Sequence, residues 1–287
     1  MKNLLLTCAI LLPVVSHADA LKNCQQALDA GDFAVAALTS SAQKNFDGLM
    51  CAGRAQQALG DYAGASASFV KAEQLADGKY GSVLAITFQA RAALAAGRSD
   101  EALAQYNRSL KLAHEIKLWQ GEWSNLVEIG QIYQSRNDLK TALEKYQESY
   151  PYASNDNERS ESNQRIAAAY HELKDHDRAI EYQLKSMLLE ASSGDANQYL
   201  NAKLLLAIYA MNGKDYKISN RELGDIIKVS KEVGSLYWES RATLYQSRLE
   251  KLLGNMEHSR TLLEVARKLA TKVGMKSLQE EVNKETP

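Results

Sequence analysis

The chain is 287 residues long, with 34 Lys and Arg against 35 Asp and Glu and only 3 Pro in a 45% hydrophobic composition. A formal net charge of −1 gives no basic footprint for a nucleic acid, and no useful stretch alternates apolar and polar residues as a strand would. These features suit a helical array long enough to bury one continuous core.

The first twenty residues read as an export signal. Lys2 supplies a positive charge, Leu4 to Val15 form an apolar run of twelve, and Ser16-His17-Ala18-Asp19-Ala20 offers small residues where a signal peptidase cuts. Cleavage is expected after Ala20, or alternatively after Ala18. Twelve residues are too few to cross a bilayer as a helix, and Cys8 lies inside the apolar run, where a lipid-bearing Cys would have to follow it. The expectation is a signal peptide over 1–20 and a soluble mature chain, periplasmic or secreted, with no membrane span.

From residue 21 onward the chain repeats. Seven pairs of small residues are each separated by twelve positions: Cys24/Ala36, Gly53/Ala65, Ala90/Ala102, Gly130/Ala142, Ala167/Ala179, Ala207/Ser219 and Ser247/Ser259. Just before each second member stands a punctuating tripeptide: Gly31-Asp32-Phe33, Gly60-Asp61-Tyr62, Gly97-Arg98-Ser99, Arg136-Asn137-Asp138, Lys174-Asp175-His176, Lys214-Asp215-Tyr216 and Gly254-Asn255-Met256. Each unit is therefore a helix, a tight turn and a second helix. The spacing has a steric cause, because antiparallel helices approach to about 8 Å only where small side chains meet at the crossing. Phe69, Tyr106 and Tyr146, four positions beyond the second small residue, share its helical face and anchor the second helix. Ala72, Ser109 and Ser149 follow three positions later.

This pattern resembles the tetratricopeptide repeat. Leu49-x3-Gly53 through Gly60-Asp61-Tyr62-x2-Ala65-x3-Phe69-x2-Ala72 matches the family's consensus almost position by position, and Gly130-x2-Tyr133 through Ala142-x3-Tyr146 adds its Tyr. The unit spacing of 37 to 40 residues resembles the family's longer variants. Leu223, Ile226 and Leu263 depart from the aromatic and small residues expected in the last units, and the family's Pro is absent. The resemblance implies an all-α fold: a right-handed α-solenoid of seven helix-turn-helix repeats over 21–274. Residues 275–287 form a capping helix and tail, with Met275, Leu278 and Val282 at helical spacing. Gly78, Gly194, Gly234 and Gly274 are expected to stop second helices, while Asn155 with Glu158, and Ser235, start the next.

With Cys8 removed, Cys24 and Cys51 are the two remaining cysteines, and an even pair in an oxidising compartment suggests a disulfide. Both fall on first helices of adjacent units, which stack side by side in the family. The alternative is two buried thiols.

Catalytic motifs are not found. The mature chain's histidines are His114, His171, His176 and His258; none builds an H-E-x-x-H, and there is no G-x-S-x-G, P-loop or dinucleotide fingerprint. His171 and His176, five apart, would point to different faces of one helix. No cofactor or metal is implied, and the chain is not expected to be an enzyme.

Function is then expected in the concave groove, which the resemblance assigns to fixed positions on each first helix. The candidates are Arg54, Arg91, Gln131 and Arg248 at one register position, Gln134 and His171 one turn on, and Gln164 and Asn201 nearer the helix starts. A protein or extended peptide suits such a mixed row; the alternative is ordinary solvated surface. The family's carboxylate clamp needs a basic residue where this chain has Met50, Thr87, Val127, Gln164, Leu204 and Leu244, so that mode is not supported. Trp119 and Trp123, four apart, read either as packing or as an aromatic ledge. The expected role is an exported scaffold or adaptor, with a receptor for a short peptide or small ligand, or an accessory subunit of an envelope enzyme, as alternatives.

Overall fold

The computed structural model describes residues 17–40, 44–193 and 195–285; most of the proposed signal peptide and the expected helix stop Gly194 lie outside them. Among the described residues the chain forms fifteen α-helices, one 3-10 turn and no strand, and it divides into two compact units, Met1–Gly121 and Glu122–Pro287. Unit 1 contains α1 (His17–Asp29), α2 (Phe33–Ser40), α3 (Phe46–Ala58), α4 (Tyr62–Gln74), α5 (Gly78–Ala95) and α6 (Ser99–Glu115). Unit 2 takes α7 (Trp119–Ser135) from Glu122 onward. It continues with α8 (Leu139–Ser149), a 3-10 turn at Tyr150–Tyr152, α9 (Asp156–Glu172), α10 (His176–Ser193), α11 (Ala196–Asn212), α12 (Tyr216–Val233), α13 (Leu236–Leu252), α14 (Met256–Val273) and α15 (Lys276–Asn283).

All fourteen members of the small-residue pairs are buried, which makes them the contacts between paired helices. The two glycines show why size matters. A Cβ built on Gly53 would fall 2.7 Å from Cζ of Phe69, and one on Gly130 would fall 2.7 Å from Cδ1 of Tyr146, with a still closer atom in each ring. Real Cβ atoms essentially never come within 3.0 Å of a neighbour, so the aromatic anchor and the glycine opposite it form one packing unit. In the last repeat the same crossing is polar: the Ser247 hydroxyl donates to the Ser259 carbonyl at 2.7 Å, and the Ser259 hydroxyl returns the bond to the Ser247 carbonyl at 2.8 Å. The departures Leu223, Ile226 and Leu263 are buried where aromatic and small residues were expected, so apolar volume is kept without the consensus shape.

Every turn between paired helices has one conformation. Gly31, Gly60, Gly97, Asn137, Lys174, Lys214 and Gly254 all have positive φ, each five positions before the second small residue. The next residue's N–H reaches back to the carbonyl five positions earlier, as in Asp61 to Gln56 at 2.9 Å and Asp215 to Ala210 at 2.8 Å. Where that residue is Asp it then caps the second helix, with Asp61 accepting from the Gly64 N–H at 2.9 Å and Asp215 from the Ile218 N–H at 3.0 Å. This corrects the fourth tripeptide by one residue. The turn is Asn137-Asp138-Leu139, because Asn137 adopts the left-handed conformation at φ 59° and Asp138 accepts from the Thr141 N–H at 3.2 Å.

The expected stops and starts are realised in part. Gly234 and Gly274 are left-handed ends of α12 and α14, whereas Gly78, with φ 84°, opens α5. Asn155 caps α9, but the Glu158 carboxylate returns to the N–H and hydroxyl of Ser154, not to Asn155. Ser235 sits at the start of α13 without a capping side-chain bond. In α15, Leu278 and Val282 pack on Leu244, Leu263, Ala266 and Ala270, while Met275 precedes the helix and is exposed. Cys24 and Cys51 are buried at disulfide distance, their Cα atoms 6.5 Å apart, so α1 and α3 lie side by side.

Candidate functional site

In unit 1 a cleft of about 620 Å³ is lined entirely from first helices: Lys22, Gln25 and Gln26 from α1, Phe46, Asp47, Met50, Cys51 and Arg54 from α3, and Leu84 and Phe88 from α5. Arg54 and Phe88 also border a second cleft of about 410 Å³ that runs on to Gln57 and Arg91. Phe88 lies near two guanidinium groups, its ring centroid 6.0 Å from that of Arg54 and 5.4 Å from that of Arg91. Such distances allow attraction between cation and ring worth about 0.5–1 kcal/mol where water still reaches the pair.

In unit 2 a cleft of about 450 Å³ is again carried by first helices, with Trp123 of α7, Glu161 and Gln164 of α9, and Gln198 and Asn201 of α11. Asn155, Asn157, Glu158 and Glu190 complete it. Apart from Trp123 its lining is amide and carboxylate with no basic side chain, whereas the cleft of unit 1 carries Lys22, Arg54 and an apolar wall. Trp123 is half-buried and its indole N–H donates to the Ser162 hydroxyl at 2.9 Å; it therefore both packs and walls the cleft, while Trp119 is 59% exposed.

The sequence-derived residues divide between these surfaces and structural duties. Arg54 and Arg91 line the clefts of unit 1, Gln164 and Asn201 line that of unit 2, and Gln131 is half-buried on α7. Gln134 is already engaged: it accepts from the Tyr146 hydroxyl at 2.8 Å and donates to Glu172. Burial pushes the Tyr146 phenol above its ordinary range, so Gln134 serves a buried group. Arg248 donates to the Glu285 carboxylate at 2.8 Å and lies 4.4 Å from the Tyr245 ring, and Arg241 stands 3.6 Å from Glu281. The groove candidate Arg248 is thus ion-paired within the chain, as is Arg241 on the same helix.

His171 and His176 come together, contrary to the helical reading, because α9 ends between them at Glu172 and the turn at Lys174 folds the chain back. Their rings are 5.4 Å apart, and His171 also stacks on Tyr209 at 4.5 Å. Burial, then the neighbouring His176 and Lys174, hold the His171 imidazole below its usual pKa. Burial likewise pushes the Tyr209 phenol up to about 12.

Residues 160–192 match the family model described as the tetratricopeptide repeat. That stretch covers most of α9 and of α10, so one helix pair of the chain is similar to a tetratricopeptide repeat in sequence. No curated protein matches it in sequence. Solved structures similar to this repeat protein share its all-α solenoid fold at low identity. The apo form of RapI has a TM-score of 0.69 at 12% identity, covering 92% of this chain and 79% of the other. The C-terminal part of a TPR repeat-containing protein from Cytophaga hutchinsonii gives 0.64 at 12%, covering 92% of this chain and 100% of the other. The STAND protein with a tetratricopeptide repeat sensor from Pyrococcus horikoshii gives 0.75 at 14%, where the repeat protein covers 92% of its own length and 44% of the other's.

Proposed function

We propose that this repeat protein is an exported scaffold of the bacterial envelope that holds an extended protein segment on the face formed by its first helices, and that it binds without catalysing. The observation that carries this reading is that each unit has a cleft built mainly by three successive first helices, α1, α3 and α5 in unit 1 and α7, α9 and α11 in unit 2. A segment crossing several helices gains contacts from each in turn. Capture from envelope extract by the mature protein, compared with an Arg54→Ala/Arg91→Ala/Gln131→Ala variant, tests it. The reading expects a partner retained by the parent and lost by the variant at unchanged melting temperature; equal capture by both would refute it.

Export is supported by the signal-like sequence of residues 1–20 and by the paired cysteines. Intact-mass measurement with and without reductant and alkylation should find a chain starting near Leu21 with Cys24 and Cys51 bridged. A retained Met1 would refute the cleavage, and two free thiols the bridge.

A second reading, a receptor for a short peptide or small ligand, is favoured by cleft volumes of about 620 and 450 Å³, which fall within the range of roughly 300–1,000 Å³ usual for such sites. One structural neighbour is described as a protein with a tetratricopeptide repeat sensor. Heat stabilisation of the mature chain by a dialysable component of the extract would select this reading over the scaffold.

A further inference from the structure

We propose that the cleft of unit 1 recognises a peptide segment carrying an acidic side chain beside an aromatic or large apolar one, with Arg54 receiving the carboxylate and Phe46, Met50, Leu84 and Phe88 the apolar group. The inference rests on the first-helix face being the binding surface, and it supplies the chemistry of what binds there.

Arg54 is half-buried against this apolar wall, yet among the described residues its guanidinium donates only to the neutral Gln25 Oε1, at 3.2 Å, and meets no carboxylate. The Arg54–Gln25 bond lies at the exposed rim of the cleft, so the aliphatic stem packs on the apolar wall while the guanidinium keeps N–H donors available to an arriving carboxylate. Four half-buried arginines of unit 2 each stand beside a carboxylate: Arg159 is 2.8 Å from Asp156, Arg165 is 3.2 Å from Glu161, Arg241 is 3.6 Å from Glu281 and Arg248 is 2.5 Å from Glu285. Arg54 departs from that pattern where a cleft opens beside it. Its planar fork suits a carboxylate held by two parallel bonds.

The remaining lining narrows the occupant. Within the cleft Lys22 and Arg54 outnumber Asp47, so an anionic segment is favoured over a cationic one. A bare carboxylate would leave Phe46, Met50, Leu84 and Phe88 facing water, and an apolar side chain alone would leave Arg54 without its anion. A segment presenting both groups satisfies the whole surface. The flat Phe88 ring, with guanidinium groups near it, favours an aromatic partner.

Short fluorescein-labelled peptides with a Gly-Ser body and a central Trp-Glu, Trp-Gln or Ala-Glu pair test the proposal by fluorescence anisotropy on the mature chain. The Trp-Glu peptide should bind about tenfold more tightly than either of the others, or about 1.4 kcal/mol. Arg54→Met should abolish the preference for Glu over Gln while leaving the Trp-Gln peptide within about twofold; Arg54→Gln, which keeps a polar group there, should do the same. The proposal is overturned if Trp-Glu binds no better than Trp-Gln, if the preference survives both variants, or if Trp-Glu shows no binding at millimolar protein. Should the peptides fail while envelope capture still depends on Arg91 and Gln131, the acidic-aromatic specificity falls and the first-helix surface stands.

Discussion

Replacing Gly130 with Ala and, separately, Gly224 with Ala makes the same chemical change in two helices, yet should stabilise only at Gly224. In a helix interior Gly to Ala gains about 1 kcal/mol from reduced backbone freedom. Gly224 lies within α12 with nothing within 4 Å of its added Cβ, so that gain should appear in full. At Gly130 the new Cβ falls 2.7 Å from Cδ1 of Tyr146, and the ring cannot retreat freely because it is fully buried and its hydroxyl is held by Gln134. Overpacking of this kind costs about 1–3 kcal/mol, enough to cancel or reverse the gain, and Gly130→Leu should cost more. Urea unfolding followed by helical circular dichroism reads both changes, provided the transition stays single, a condition that repeat arrays can break. If Gly130→Ala stabilises as much as Gly224→Ala, the small-residue crossing is not the constraint that sets the repeat.

Lys203 and Glu222 form a buried ion pair at 2.7 Å between α11 and α12, and Arg221 also reaches Glu222 at 2.6 Å, so Lys203→Met in urea unfolding should cost less than the roughly 3–5 kcal/mol of stranding a buried charge outright, and Lys203→Met/Arg221→Met should cost more than the sum of the two single changes. Gln134→Leu strands the buried Tyr146 hydroxyl and should cost about 1–3 kcal/mol; a neutral result would show that this bond is not formed in solution. His171 has a folded-state pKa below its ordinary value of 6.5, so the unfolded chain binds the proton more readily and His171 withdraws stability as pH falls through 6.5. Melting curves should therefore fall less steeply from pH 7.5 to pH 5.5 in His171→Gln than in the parent, and equal slopes would refute the assignment. Lys174→Gly should relieve a left-handed backbone at φ 64° and stabilise by up to about 1 kcal/mol, read by the same melts.

Most of the fold was legible in the sequence because the helix crossings are steric and leave small residues at fixed spacing. Cys24/Ala36 and Ser247/Ser259 kept the pattern even where the anchors changed. The fourth turn was misread because Arg136 precedes an Asn that takes the left-handed place usually held by Gly; counting five back from Ala142 would have found it. The site was less legible, because its residues are joined by contacts distant in sequence. Arg248 is neutralised by Glu285, 37 residues on, and Gln134 is tied to Tyr146. Phe88 was missed since it lies between the register positions assigned to the groove, and only packing shows its ring beside both Arg54 and Arg91. His171 and His176 meet because a helix ends between them, which spacing alone did not reveal.

The central claim is that partners meet the first helices. Photo-crosslinking from p-benzoylphenylalanine placed at Gln131 on α7, or at Lys145 on α8 as the control on a second helix, tests it most directly when carried out in the envelope. The account predicts a specific crosslinked species from position 131 and none from position 145, where Lys145 and Glu148 form an exposed pair at 2.7 Å. A specific adduct from position 145 with none from position 131 would contradict it.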